Sequence, residues 1–315
     1  MLIQIALFIL GLILVLKGGN LFVDASTTIA SLLMVPRFII GGTIVSIATT
    51  SPEFVVSATA SYLGDSGIAL GNALGSVIAN IGLIIGITAI LTPISIDPKP
   101  FKRRCLWMLI ITLFILIFAW DSEISRWGGL LLVLSATAYL VLNMVKANLE
   151  RKKALSHTEE PLEVKMPMKK AIGYFAIGIL LVITGSWLLV NAGIAIATAL
   201  QIPSTLIGLT VVAVGTSLPE LITAITSAKK NVADLSVSNI IGANILNLSL
   251  ITGTAALINP LTIDKITRYY AFPWVFIMIV LLMLMFWKFE GISKRGGILI
   301  ISLYIVYVIG LYFIS

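Results

Sequence analysis

Two glutamates lie deep within apolar stretches of the chain, and each directly follows a proline. Glu53 ends the run Thr-Thr-Ser-Pro-Glu that starts at Thr49, and Glu220 ends the run Thr-Ser-Leu-Pro-Glu that starts at Thr216. A charge at the centre of a bilayer costs at least about 2.5 kcal/mol on insertion scales, so two such charges need a compensating partner. Neither stretch contains a Lys or Arg. The obvious compensation is a cation taken from solution.

The two prolines add backbone oxygens to this chemistry. A proline has no N–H and pushes away the carbonyl of the residue four positions earlier, here Ala48 and Gly215. Because irregular backbone at membrane depth is tolerated where it lines a cavity, we expect a kink at each proline with unpaired carbonyl oxygens beside the carboxylate. Thr49 and Thr216 each precede a glutamate by four residues, so hydroxyl, carbonyl and carboxylate share one helical face.

Further polar side chains recur at helical spacing in the stretch that follows each glutamate. These positions are Asn72, Ser76 and Asn80 in the first half, and Asn239, Ala243 and Asn247 in the second. Ser46 and Ser57 extend the stripe around the first glutamate. If the two stripes meet, the cavity offers only oxygen ligands, and calcium takes 6–8 oxygens at about 2.3–2.6 Å. We therefore predict a site for a hard cation.

The composition places this chemistry inside a membrane. Of 315 residues, 59% are hydrophobic and 11% are charged, whereas about a quarter of a soluble domain is charged. The single Cys and the single His exclude a disulfide framework and a Cys/His metal cluster. No apolar stretch offers a nucleophile with a recognisable base, so we expect no enzyme and no cofactor.

The apolar stretches predict an all-α membrane protein with ten transmembrane helices. They cover residues 2–33, 38–62, 67–91, 104–120, 127–146, 171–199, 205–228, 233–258, 269–287 and 296–314. If successive connections alternate sides, most of the 21 Lys and Arg residues fall on one side, and only Arg126, Lys265 and Arg268 fall on the other. The positive-inside rule then predicts a plasma (inner) membrane protein with both termini outside the cytoplasm.

An internal repeat organises the chain. At an offset of 167 residues, Gly11–Asp97 aligns with Gly178–Asp264 without a gap, and the alignment pairs Glu53 with Glu220. We predict one five-helix repeat over residues 1–146, a cytoplasmic loop over 147–170 and a second five-helix repeat over 171–315. Because five spans is an odd number, the second repeat enters the membrane from the opposite side, as in transporters with inverted repeats.

At these residues the sequence resembles the cation/calcium antiporter superfamily, and most closely its prokaryotic sodium/calcium exchangers. The regions Thr43–Gly86 and Thr210–Gly253 look like the alpha repeats of that family, within the wider blocks 41–97 and 208–264. Their motifs are Thr-Thr-Ser-Pro-Glu and Gly-Asn-Ala-Leu-Gly-Ser-Val-Ile-Ala-Asn in the first half, and Thr-Ser-Leu-Pro-Glu and Ser-Asn-Ile-Ile-Gly-Ala-Asn-Ile-Leu-Asn in the second. The resemblance covers nearly the whole chain.

The resemblance implies that one calcium ion binds between Glu53 and Glu220, with help from backbone oxygens of Thr49 and Thr216. It also implies flanking sodium sites. Those sites would use Ser46, Thr50, Ser76 and Glu53 in the first half, Ala213, Ser217 and Glu220 in the second, and Asn80 and Asn247 between them. The first and sixth helices would slide as a pair to alternate access, and we expect a monomer that expels calcium in exchange for sodium.

One departure from the family pattern leaves alternatives open. The chain has Gly242-Ala243 where the family usually has Gly-Ser, so one expected sodium ligand is absent. A proton/calcium exchanger of the same fold is the first alternative, because the two glutamates lack a fixed countercharge and could carry protons. A passive cation channel is a remote alternative, since pores usually repeat around an axis along the membrane normal.

Overall fold

The computed structural model describes residues 2–33, 37–95, 98–118, 122–156, 166–199, 204–230, 232–288 and 291–314. Helices dominate these residues, as predicted. In chain order they are α1 (Leu2–Leu32), α2 (residues 37–49), α3 (Ser51–Tyr62), α4 (Ser66–Leu91), α5 (Pro98–Phe118), α6 (Arg126–Ser156), α7 (Met168–Ala199), α8 (residues 204–216), α9 (Leu218–Lys229), α10 (residues 233–258), α11 (residues 265–288) and α12 (Lys294–Ile314).

By length and composition, six of the helices in the described ranges are able to cross a membrane. They are α4, α6, α7, α10, α11 and α12. The bent pair α8 and α9, which meet at 47°, makes a seventh if counted as one span. The chain is therefore a multi-pass helical membrane protein, and the number ten stays a prediction.

Helices extend into both ends of the predicted loop over 147–170. Helix α6 runs on to Ser156 and α7 begins at Met168. Residues 157–165 lie outside the described residues. Hydropathy marks where the apolar stretch ends, but Ala, Leu, Lys and Arg at positions 147–156 are all good helix formers and extend the helix beyond it.

Each proline follows a break between two helices. The break residues are Thr50, with φ −82° and ψ 3°, and Ser217, with φ −80° and ψ 4°. Pro52 and Pro219 are each the second residue of the next helix, where a missing N–H leaves no hydrogen bond unmade. At the breaks, the Thr50 N–H donates to the Ser46 carbonyl oxygen at 3.0 Å and the Ser217 N–H to the Ala213 carbonyl oxygen at 3.1 Å. The expectation of unpaired carbonyls at Ala48 and Gly215 stays a prediction.

Turns of π-helix occur at corresponding places in the two halves. Gly41–Val45 in α2 corresponds to Gly208–Val212 in α8, and Asn80–Ile85 in α4 to Asn247–Ile251 in α10. A π turn inserts one residue into a helix, and such turns are frequent at functional sites. Thr267–Ala271 in α11 forms another.

Two short ribbons join the halves reciprocally. The strands are β1 (Ile94–Ser95), β2 (Glu123–Ile124), β3 (Leu261–Thr262) and β4 (Gly291–Ile292). β1 pairs antiparallel with β4, and β2 pairs antiparallel with β3. β1 and β3 follow the third apolar stretch of their halves, and β2 and β4 precede the fifth. Each half thus contributes one strand to each ribbon. Exchanging the halves reproduces the same two ribbons, which is the contact pattern of a two-fold axis.

Helices α4 and α10 form the centre of the molecule and are the most buried of the six spans. Glycines bring their backbones close to the helices of the other half. A Cβ on Gly75 of α4 would lie 2.7 Å from the Leu209 carbonyl oxygen of α8, and a Cβ on Gly242 of α10 would lie 3.0 Å from the Gly42 carbonyl oxygen of α2. These contacts are again reciprocal.

Helices α1 and α7 pack along each other. A Cβ on Gly178 of α7 would lie 2.9 Å from the Gly18 carbonyl oxygen of α1, and the rings of Phe22 and Phe175 lie 4.9 Å apart. Small residues at such positions let helix backbones approach closely in a membrane.

The close approach at Gly75 predicts a stability effect. In Gly75→Ala the new methyl group would lie 2.7 Å from both the Leu209 carbonyl oxygen and the Ala213 Cβ, and overpacking of this kind costs about 1–3 kcal/mol. We expect a lower unfolding temperature in detergent, measured by tryptophan fluorescence. Gly173→Ala is the matched control, because no atom lies within 4 Å of its added Cβ. Equal unfolding temperatures for the two variants would contradict the packing described.

Candidate functional site

Glu53 and Glu220 lie in the first turns of α3 and α9, immediately after the two breaks. Both side chains are 0% exposed. In the described part of the chain neither carboxylate forms an ion pair with Lys or Arg, whereas Asp24 and Lys230 pair at 2.6 Å. Each break places a carboxylate at the centre of the molecule and leaves it without a protein cation.

A hydroxyl group of the second half faces the carboxylate of the first half. The Ser217 hydroxyl lies 3.4 Å from Oε1 of Glu53. The two halves therefore form one site between them.

A pair of Thr–Asn hydrogen bonds fastens the halves together at the same level. The Thr216 hydroxyl donates to Oδ1 of Asn72 at 2.9 Å, and the Thr49 hydroxyl donates to Oδ1 of Asn239 at 3.2 Å. Asn72 also donates through Nδ2 to the Glu53 carbonyl oxygen at 3.2 Å and to Ser57 Oγ at 2.9 Å. Asn72 thus fixes the first turn of α3, on which Glu53 lies.

Five buried side-chain oxygens at this level accept no hydrogen bond in the described residues. They are Oε2 of Glu53, Oε1 and Oε2 of Glu220, Oδ1 of Asn80 and Oδ1 of Asn247. About nine in ten buried polar groups have a partner, and an unsatisfied one costs about 1–3 kcal/mol, more if it is charged. The amide nitrogens of Asn239 and Asn244 are also unpaired. Unpaired acceptor oxygens, three of them on carboxylates, therefore outnumber unpaired donors. A bound cation would interact favourably with these oxygens.

All residues predicted for the site are buried. The eleven predicted positions, each at most 3% exposed, are Ser46, Thr49, Thr50, Glu53, Ser76, Asn80, Ala213, Thr216, Ser217, Glu220 and Asn247. Ser76 donates to the Ala213 carbonyl oxygen at 3.4 Å and so links α4 to α8. The Thr50 hydroxyl donates to the Ser46 carbonyl oxygen of α2 at 2.7 Å.

Asn244 is a polar residue at this level that the sequence analysis missed. Its Oδ1 accepts a hydrogen bond from Asn80 Nδ2 at 2.9 Å, across the boundary between α4 and α10. This bond orients the Asn80 amide so that its oxygen is left as an acceptor. The repeat alignment hides Asn244, because the corresponding residue of the first half is Val77. An Asn within a buried apolar helix was the available signal.

The described residues contain no cluster of three or more His, Cys, Asp or Glu side chains. The candidate site instead combines two carboxylates with hydroxyl and amide oxygens. Such a ligand set suits a hard cation and offers nothing to a soft one. Two carboxylates buried between two halves that make equivalent contacts with each other are typical of a membrane ion transporter.

The chain belongs to the sodium/calcium exchanger protein family, whose model matches residues 3–145 and 170–313. It is 34% identical to the inner membrane protein YrbG of Escherichia coli, over 100% of this chain and 98% of that protein. It is 30% identical to the sodium/calcium exchanger MaX1 of Methanosarcina acetivorans, over 98% of both chains. A solved structure of the sodium–calcium exchanger NCX_Mj, soaked with Na⁺ and Sr²⁺, matches with a TM-score of 0.81 at 33% identity over 98% of each chain.

The hydrogen bonds of Asn72 predict an asymmetry between the halves. Asn72→Leu removes contacts with three partners, whereas Asn239→Leu removes one contact and an amide nitrogen that is already unpaired. Because buried hydrogen bonds contribute about 0.5–1.5 kcal/mol each, we expect the larger fall in unfolding temperature for Asn72→Leu. Equal falls, measured side by side in the same detergent, would show that Asn72 does not clamp α3.

Proposed function

We propose that the protein exchanges calcium for sodium across the plasma (inner) membrane. The observation that carries this proposal is the set of unpaired buried acceptor oxygens, supplied by both halves, around Glu53 and Glu220. Burying two carboxylates without a cation is costly, and two negative charges match one divalent cation. The relatives named as sodium/calcium exchangers, MaX1 and NCX_Mj, support the choice of ions.

Calcium binds between the two glutamates, with Thr49 and Thr216 beside them. Both threonines lie at the helix ends that precede the breaks, so their backbone oxygens are available near the ion. Carboxylate and neutral oxygens together reach the 6–8 ligands that calcium takes. Asn80 and Asn247 contribute the two further unpaired amide oxygens.

Sodium ions occupy the flanking positions when calcium leaves. The residues that build those positions are Ser46, Thr50, Ser76 and Glu53 in one half and Ala213, Ser217 and Glu220 in the other. Ala243 is fully buried and supplies a methyl group where the first half has the Ser76 hydroxyl. The sodium position beside Ala243 is therefore the weakest part of the ligand set.

The architecture consists of two inverted repeats of five transmembrane helices. The pairs α2 with α3 and α8 with α9 each count as one broken span, which makes ten spans divided between residues 1–146 and 171–315 around a cytoplasmic loop. The reciprocal ribbons and glycine contacts support this arrangement. Both termini lie outside the cytoplasm, and the monomer is the working unit.

Access alternates by movement of α1 and α7 past the other helices. These two helices pack on each other along their length, and Gly19 of α1 lies against Ile222 of α9. Sliding of the pair opens the site to one side of the membrane and closes it to the other, as in transporters with inverted repeats.

Proton coupling is the second candidate. Neither glutamate contacts a Lys or Arg among the described residues, so a proton on each carboxylate would compensate the charge after calcium leaves. The alanine at position 243 favours this candidate, because it weakens one sodium position. The same two glutamates carry calcium in both candidates.

Glu53→Gln and Glu220→Gln each remove one of the two charges that compensate the ion. In vesicles loaded with sodium and diluted into sodium-free buffer with calcium, we expect the parent to take up calcium and each variant to lose at least about 100-fold in rate, equivalent to about 2.7 kcal/mol. Glu123→Gln is the matched control, because Glu123 is exposed on β2 and its loss should leave the rate unchanged. Full transport by both buried variants would show that the site is misplaced.

The coupling ion is decided by the gradient imposed on the same vesicles. A sodium gradient at uniform pH should drive uptake, and a pH gradient without sodium should not. Robust uptake driven by the pH gradient alone would replace sodium by protons as the coupling ion. Saturable uptake with neither gradient would indicate a channel.

A further inference from the structure

A basic cavity lies between α5 and α6, away from the two glutamates. Its volume is about 320 Å³, and its lining residues are Arg103, Arg104, Trp107, Tyr139, Leu142, Asn143 and Lys146. Three of these residues are cationic and none is acidic. A cavity of this charge attracts an anion.

The wall of the cavity is fixed by the buried side chain of Arg104, which is 5% exposed. Its Nη2 donates to Asn143 Oδ1 at 2.9 Å, its Nη1 donates to Ser238 Oγ at 2.5 Å, and its guanidinium carbon lies 5.8 Å from the centre of the Tyr139 ring. The Asn143 amide in turn donates to the Tyr139 carbonyl oxygen at 2.7 Å. The cavity is therefore built by side chains with defined partners.

One donor in this wall has no acceptor. The indole Nε1 of Trp107 is buried and makes no hydrogen bond in the described residues. The Trp107 ring lies 6.3 Å from the Tyr139 ring in the same wall. A buried indole N–H usually finds a partner, and an anion in the cavity would supply an acceptor oxygen.

The position of the cavity distinguishes a lipid from a soluble anion. Arg103 lies in the second turn of α5, and large apolar side chains that are more than half exposed follow it at Leu106 and Ile110. On α6, Leu142 and Val145 are exposed to a similar extent immediately before Lys146. The cationic residues thus lie where two apolar, outward-facing helix surfaces end, which is the level of the headgroups in a bilayer.

We propose that this cavity binds the phosphate of an anionic phospholipid. Arg103 and Lys146 contact the phosphate, the Trp107 N–H donates to one of its oxygens, and the acyl chains lie over the exposed apolar side chains of α5 and α6. The same wall reaches the central helices: Arg104 contacts Ser238 of α10, and the Tyr139 hydroxyl donates to the Gly42 carbonyl oxygen of α2 at 3.0 Å. A lipid here braces the two helices that flank the candidate ion site.

The test measures binding of short-chain phosphatidylglycerol to the purified full chain in neutral detergent, by native mass spectrometry and by the lipid-dependent rise in unfolding temperature. For Arg103→Gln/Lys146→Gln we expect at least about tenfold weaker binding, since the variant removes two cationic contacts with the phosphate. For Trp107→Phe, which keeps the ring and removes the donor, we expect about tenfold weaker binding as well. Phosphatidylcholine should bind weakly to the parent.

The matched control is Lys294→Gln/Arg295→Gln. It removes the same number of charges from exposed positions at the start of α12, outside the cavity, and should bind phosphatidylglycerol as the parent does. Equal binding by the cavity variant and the parent, or equal weakening in both double variants, would overturn the proposal. Inorganic phosphate that binds as tightly as phosphatidylglycerol would overturn the lipid as occupant. None of these readouts depends on ion exchange, so the result stands apart from the proposed function.

Discussion

Two carboxylates enclosed at the centre of the molecule, with no Lys or Arg paired to either in the described residues, set the constraint on which the rest of the structure depends. Enclosing an uncompensated charge costs several kcal/mol even after the protein relaxes. Apolar side chains at these two positions would give a more stable folded state. The proposed binding and release of a cation would explain why both glutamates are retained, together with unpaired amide oxygens beside them.

The reciprocal construction of the molecule follows from the same constraint. Each half alone supplies one carboxylate, and the Ser217 hydroxyl of the second half faces Glu53 of the first. The Thr–Asn bonds, the glycine contacts of α4 and α10, and the two ribbons all repeat under exchange of the halves. Two surfaces that meet reciprocally can shift symmetrically, as the proposed alternation of access between the two sides of a membrane requires.

Those parts of the structure that follow from rare residues in an apolar background are predictable from the sequence. The buried pair Glu53 and Glu220, the breaks before Pro52 and Pro219, and the membership of the exchanger family were all predictable on that basis, and the structure and the family match confirm the burial, the breaks and the family. The ends of α6 and α7 were not, because hydropathy reports the bilayer and not the helix. Asn244 and the cavity around Arg104 depend on which helices become neighbours, and no local pattern encodes that.

The central claim is that Glu53 and Glu220 together bind calcium. The number of calcium ions bound per chain tests it most directly, because this measurement needs neither a gradient nor a coupling ion. Equilibrium dialysis of the purified chain against radioactive calcium in sodium-free buffer gives the number of ions per chain at saturation. We predict one saturable calcium ion per chain for the parent and none for Glu53→Gln/Glu220→Gln. A double variant that folds like the parent and still binds one calcium ion would contradict the account.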